Sequence, residues 1–397
     1  MKKFAFFLLL SAALCQFALA DSFYSAFGLG IPQYYVSSQA AGMGGAGIGV
    51  AQHLALNSMN PAAVQLRGFT MISASFQGEK VDNKSGDAKV TTRQGNANGF
   101  QLAIPMFKDR IALLASLKPL IRSQFAVDFS SDHEDFTIYR TARSNGGLSA
   151  ASLGLNYALS PKLFIGGLFN FNFGAYNEIW RTDFDNDTYI NTKDDITSHL
   201  WGTGAELGVL VRPLGFLSIG GMVKLSSTLK IETKTETVSR VELTPVEQTA
   251  TYPLAFGGGA SFEFSKFTFA TDFYMQDWSN YRIDDRQSND LANYLRIGGG
   301  IEYVGSKDYL STYHKSIAFR LGASYAQLPF VDPNGDQATE FFVTAGLGFP
   351  FNKNAGRIDL ALEVGERSSG HAYPYSESLS RLTASITMAE KWFQRLF

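Results

Sequence analysis

Along most of this chain apolar residues recur at every second position, separated by small or polar ones. From Leu254, one face carries Leu254, Phe256, Gly258, Ala260, Phe262 and Phe264, and the other Ala255, Gly257, Gly259, Ser261 and Glu263. Phe341, Val343, Ala345, Leu347 and Phe349 alternate in the same way with Phe342, Thr344, Gly346 and Gly348. A period of two belongs to extended strands, whose successive side chains point to opposite faces. Fourteen such segments are present, at about 68–79, 96–106, 109–120, 147–159, 162–175, 199–212, 215–228, 252–264, 266–277, 293–304, 316–327, 339–350, 356–366 and 379–389. Each is long enough to cross a hydrocarbon layer as a tilted strand.

The connections carry a second pattern. After the second, fourth, sixth, eighth and twelfth segments they are short: Phe107-Lys108, Ser160-Pro161, Pro213-Leu214, Ser265, and Phe351 to Ala355. On the opposite side they are mostly long and polar, as at 80–95, 121–146, 176–198, 229–251, 278–292 and 367–378. The stretch 305–315 is a longer connection on the short side. An even strand number with alternating short and long connections describes an antiparallel transmembrane β-barrel of the outer-membrane type. A soluble sandwich also alternates, but it has no need of Phe, Tyr and Gly facing one way along so many strands.

Residues 1–20 read as a cleaved export signal. Lys2 and Lys3 precede an apolar run from Phe4 to Leu14, and Ala18-Leu19-Ala20 places small residues before a cut at Asp21. No apolar run of 18 or more residues follows, so the sequence offers no transmembrane helix. The expected location is a Gram-negative-type outer membrane, with outer-membrane lipids as neighbours. A net charge of −2 gives nothing with which to neutralise nucleic-acid phosphates. The single cysteine, Cys15, rules out a disulfide framework or a cysteine-rich metal site. The five histidines, His53, His133, His199, His314 and His371, stand in no motif that pairs a nucleophile with a base, so neither an enzyme, a metal site nor a cofactor is expected.

The face opposite the apolar one holds small residues and charges of both signs. It includes Glu206, Arg212, Lys224, Glu263, Asp272, Arg296, Glu302, Arg320, Glu340, Arg357, Asp359, Glu363 and Arg381. Lone charges inside a barrel are costly, so these are expected to pair or to be hydrated. The mixture of signs argues against a strongly ion-selective pore.

Residues 21–67 precede the first strand, show no strand pattern and carry no acid after Asp21. Gly42-Met43-Gly44-Gly45-Ala46-Gly47 matches the dinucleotide fingerprint in form only. It has no preceding strand and no acid about 20 residues on to hold a ribose. Its glycines instead suit close-packed backbone. Ala51 to Met59 reads as a short helix that stops before Asn60-Pro61. A barrel of fourteen strands leaves a lumen unless something fills it, and this segment is the natural plug.

The run Gln39 to Gly47, followed by Asn57 to Asn60-Pro61-Ala62-Ala63, resembles the N-terminal hatch of the FadL/TodX outer-membrane transporters. The Asn-Pro-Ala hatch motif of that family falls on Asn60, Pro61 and Ala62, and Gly42, Gly44, Gly45 and Gly47 complete the candidate hatch residues. Glu390-Lys391-Trp392-Phe393 is similar to the tail of the family's distant members. The implied organisation is a hatch at 21–67, a barrel at 68–389 and a short tail at 390–397. The implied function is passive uptake of long-chain fatty acids or other hydrophobic molecules, with hatch movement and release through a kinked third strand. Pro119, near the outer end of that strand, is the candidate kink, because proline removes a ladder donor. Ile121, Phe125, Val127, Phe129 and Phe136 are the candidate ligand contacts. The alternative is a barrel that docks protein partners in secretion or assembly and transports no small molecule.

Overall fold

The computed structural model describes residues 22–391, apart from 35–36, 52–55, 57–58, 65–67, 87, 108–109, 134–135, 187, 239–242, 289–290, 307, 309–310, 333, 353–354 and 371–374. The export signal, His53, His371, most of the helix expected at 51–59 and the tail beyond Lys391 lie outside the described residues. Fourteen antiparallel strands form the barrel wall. They are β1 (Thr70–Ser85), β2 (Ala88–Pro105), β3 (Ile111–Asp132), β4 (Thr137–Ser160), β5 (Leu163–Phe184) and β6 (Thr192–Leu214). β7 runs as Leu217–Lys224 and Ser227–Thr237, and β8 as Val246–Tyr252 and Ala255–Phe264. The wall continues through β9 (Phe267–Gln276), β10 (Tyr294–Val304), β11 (Ala318–Val331), β12 (Gln337–Phe351), β13 (Gly356–Ser368) and β14 (Tyr375–Glu390). β14 pairs with β1 along its whole length, from Glu390 opposite Thr70 to Tyr375 opposite Ser85, and the cylinder is closed.

The alternation predicts the two faces correctly. Phe256, Phe262, Phe267, Phe269 and Phe341 are exposed on the outer face, and Phe349 lies half-buried on it. Across the wall, Glu206, Asp272, Arg296, Glu302, Arg320, Glu340, Arg357, Asp359 and Glu363 are buried. Large apolar residues that would be a liability in water are here the surface presented to lipid.

The long polar connections need correction. Much of 80–95, 121–146, 176–198 and 229–251 is strand. β1 and β2 run to within two residues of each other, and β3 with β4 and β5 with β6 form arms of 22 to 24 residues. A ladder is made by backbone groups and needs no apolar side chain. Beyond the bilayer both faces of a hairpin meet water, so the pattern turns polar while the pairing continues. On the short side, the stretch after β10 contains a single helical turn, α1 (Tyr313–Ser316).

Candidate functional site

The N-terminal segment lies within the cylinder. Near its start, Ser22 donates to both oxygens of Glu377, at 2.8 and 3.0 Å. Tyr24 is buried and donates to the Tyr375 carbonyl at 3.0 Å, and that burial pushes its phenol above the ordinary range. Phe23 stacks on Tyr375 with ring centroids 4.1 Å apart. A helical turn follows at Ser38–Gly42, with the Ser37 side chain accepting from the Ala40 N–H. Gly42 then abuts the backbone of Gly346, and Gly45 lies against the Arg296 guanidinium, whose Nη2 donates to the Gly44 carbonyl at 3.1 Å. Gly44 has φ +64° and is wedged between the carbonyls of Ala323 and Gly299, where a Cβ would collide. The amides of Gly47 and Ile48 both donate to Asp272 Oδ2, at 2.6 and 2.7 Å.

Asn60 ties this segment to the wall. It is fully buried, and its amide donates to the carbonyls of Ile48 (2.9 Å) and Val209 (3.1 Å). Its Oδ1 accepts from the Ala62 N–H at 2.9 Å. The Pro61 carbonyl accepts from Asn156 at 2.9 Å, and Ala62 packs with Ala51 and Leu210. The wall partners Asn156, Val209 and Leu210 belong to the turn-side ends of β4 and β6.

Most of the lumen charges form ion pairs. Arg320 reaches Glu302 (2.6 Å) and Asp359 (2.7 Å), and Arg357 bonds both Asp359 (2.7 Å) and Gln39 of the N-terminal segment (2.9 Å). Arg367 joins Glu340, Glu377 and Ser22, while Arg381 holds Glu79 at 2.8 Å. Lys118 and Lys224 flank Glu206 at 3.1 and 3.2 Å. The alternation reading leaves out Lys118, Glu79, Arg367 and Glu377. Of these, Arg367 and Glu377 lie in a stretch read as polar loop, while Glu79 and Lys118 lie within segments read as strand. Their parity relative to their strands was the signal that could have found them.

β3 is irregular where Pro119 stands. The strand does not end there. Pro119 pairs opposite Ser149 and Ile121 opposite Leu148, so Leu120 is an extra, bulged residue. The bulge changes parity: Ala112, Leu114 and Lys118 are buried below it, and Ile121, Ser123 and Phe125 above it. β2 carries a matching bulge at Asn98, between the Ser75–Gly99 and Phe76–Ala97 pairs. The two strands pair only from Pro105 opposite Ala112 to Phe100 opposite Leu117. Above that level no β2–β3 ladder is formed among the described residues, and the wall has a seam.

One cavity lies at the seam and a second higher along β3. The first, of about 270 Å³, is polar and is lined by Glu79, Gln94, Asn96, Pro119, Arg122 and Arg381 among others. Ile121 also lines it. The second, also about 270 Å³, opens toward the hairpin arms, and Phe125, Val127, Phe129, Tyr176 and Trp180 contribute to it. Phe136 stands apart from both, in an aromatic cluster with His133, Phe184 and Tyr189 at the arm tips.

Solved structures share this architecture. The Ralstonia pickettii toluene transporter TbuX matches at TM-score 0.60 and 16% identity, over 89% of this chain and 98% of that one. A Pseudomonas aeruginosa FadL homologue matches at TM-score 0.63 and 11% identity, over 91% and 99%. The Pseudomonas putida toluene transporter TodX matches at 0.59 and 14%, over 91% and 99%. The expected resemblance to FadL/TodX barrels is therefore met in fold. No curated protein matches the sequence significantly. The family model BamG matches residues 1–396.

Proposed function

The chain belongs to the BamG family, and from that premise we propose that it is an outer-membrane barrel for passive entry of a hydrophobic small molecule, taken in at the arms and released sideways at the β2–β3 seam. The observation that carries this reading is the interrupted ladder beside the Leu120 bulge, with a polar cavity at the break and an apolar cavity higher along β3. Leu117 lies six residues into β3 from the turn side, within the ten or so residues with which a tilted strand crosses the membrane. A break there faces lipid.

In this reading residues 21–67 act as the hatch, and Gly42, Gly44, Gly45, Gly47, Asn60, Pro61 and Ala62 seat it. Phe125, Val127 and Phe129 receive the apolar part of the ligand, and Pro119 marks the exit. Polar groups line the seam cavity and apolar groups the mouth. That suits a long-chain fatty acid, with a polar head and an apolar tail, better than a plain hydrocarbon. Three neighbours with this fold are described as a toluene transporter, a toluene transporter and a FadL homologue, which supports hydrophobic cargo as a class.

The test is uptake of a radiolabelled long-chain fatty acid by cells lacking the chain, complemented with the natural protein or with Val127→Asp. Uptake restored by the first and lost with the second supports the reading. Equal uptake with and without the chain would refute it. The second reading, docking of protein partners without transport, is favoured by how tightly the lumen is filled. The cavity beside Lys118, Glu206 and Met59 measures about 30 Å³, room for about one water.

A further inference from the structure

The seam is bridged by one side chain whose backbone is held from the other direction. Arg122 lies just above the Leu120 bulge, where β3 has parted from β2. Its guanidinium spans the break, with Nη1 donating to Gln77 Oε1 of β1 at 2.8 Å and Nη2 to Asn98 Oδ1 of β2 at 3.0 Å. Nη2 also approaches the Ala97 carbonyl at 3.4 Å. Asn98 is the bulged residue of β2, so both irregularities meet in this contact.

The backbone of the same residue is covered by the N-terminal segment. Ile31 pairs opposite Arg122 and Pro32 opposite Ile121, and the Gln33 N–H donates to the Leu120 carbonyl at 2.8 Å. Gly30, at φ +105°, is pressed against the Arg122 carbonyl, where a Cβ would clash. Nearby, the Ser22 N–H and the Ser25 hydroxyl donate to the Gln124 carbonyl at 3.0 and 2.6 Å. The segment thus occupies the part of the β3 edge that β2 has left.

We propose that Arg122 is a bolt across the β2–β3 seam, and that withdrawal of residues 22–33 from β3 draws it. The inference rests on the lateral-release reading given above. While Ile31–Pro32 is in register, the Arg122 main chain is fixed and its planar fork meets acceptors on two strands. When the segment leaves, β3 regains freedom just above its bulge, and the fork loses the backbone position that aims it. Seating of the hatch and closure of the wall are then one event, linked through a single residue. Guanidinium bonds suit this role because they are directional and stronger than neutral ones.

The test is hydrogen exchange by mass spectrometry on the full mature chain in lipid nanodiscs, alongside uptake of a fluorescent fatty acid. Arg122→Ala is expected to speed exchange at 93–99 and 118–124 roughly tenfold, as the loss of a charge-assisted contact implies. Arg122→Lys, which keeps the charge without the fork, should fall between. Gly30→Ala, which leaves Arg122 intact but forces the segment off β3, should give the same pattern as Arg122→Ala. Exchange at 318–351, on the far wall, should stay unchanged in all three and serves as the folding control. Unchanged exchange at 93–99 in Arg122→Ala would overturn the bolt. A response to Arg122→Ala but not to Gly30→Ala would overturn its link to the N-terminal segment. Faster exchange with unaltered uptake would leave the bolt standing and remove the transport reading.

Discussion

Replacing Asn60 by alanine should unseat the N-terminal segment without unfolding the barrel. The side chain makes three bonds, to the carbonyls of Ile48 and Val209 and from the N–H of Ala62, and none of it is exposed. Truncation leaves two acceptors and one donor unpaired in a site closed to solvent. At about 1 kcal/mol for each lost bond the seated position weakens by about 3 kcal/mol. At about 1.4 kcal/mol per factor of ten, the unseated population rises about a hundredfold. The wall should persist, because its ladder closes from β14 onto β1 independently of this contact. Hydrogen exchange over 40–50 is the assay, with heat-modifiability on gels reporting the barrel. Asn60→Asp should be worse than Asn60→Ala, since a carboxylate would face the two carbonyls its amide now serves. Exchange at 40–50 that changes by less than about threefold in Asn60→Ala would refute the three-bond reasoning. So would an aspartate tolerated as well as the alanine.

Arginine at Phe273, on the outer face six residues into β9, should cost about 2–4 kcal/mol, read by urea titration in lipid vesicles. Arg320→Met removes the common partner of Glu302 and Asp359; it should destabilise by about 3–5 kcal/mol in the same titration, and adding Glu302→Gln should recover part of that loss. Deletion of 22–60 should leave a folded barrel with raised small-solute conductance in planar bilayers and impaired fatty-acid uptake. In ligand-binding titrations, Phe125→Asp should weaken affinity for a fatty acid more than Phe136→Ala, because Phe125 lines the mouth cavity and Phe136 does not.

The wall was legible because lipid imposes a rule on every second residue. Phe256 and Phe262 point outward for the same reason that Asp272 and Glu302 point inward, and a period of two can be read without knowing the fold. The arms were not legible, because outside the bilayer that rule lapses. Ser227–Thr237 is strand with the composition of a loop. Gly44 and Asn60 stand out by residue type, yet what they touch depends on strands 149 or more positions away. The seam was half visible. Pro119 marks the place, but the break comes with two facing bulges, at Asn98 and Leu120, whose positions the alternation does not reveal. Arg122 lies past the end of the third alternating segment at Leu120, in a stretch whose composition reads as polar connection.

On the proposed uptake reading, the length of the arms sets where cargo changes solvent. With a rise of about 3.3 Å per residue and a tilt of about 40°, each residue lifts a strand about 2.5 Å along the membrane normal. The 24 residues of β4 therefore stand about 60 Å tall, against an apolar band of about 25 Å. Phe125 to Phe129 lie 14 to 18 positions above Ile111, about 35–45 Å up and clear of the hydrocarbon. The seam opens lower, beside lipid. On the proposed reading, entrance and exit face different phases, water above and oil at the side. A molecule that partitions into oil has its own free energy of transfer as the driving force, which is why such a barrel can run downhill with no energy source coupled to it.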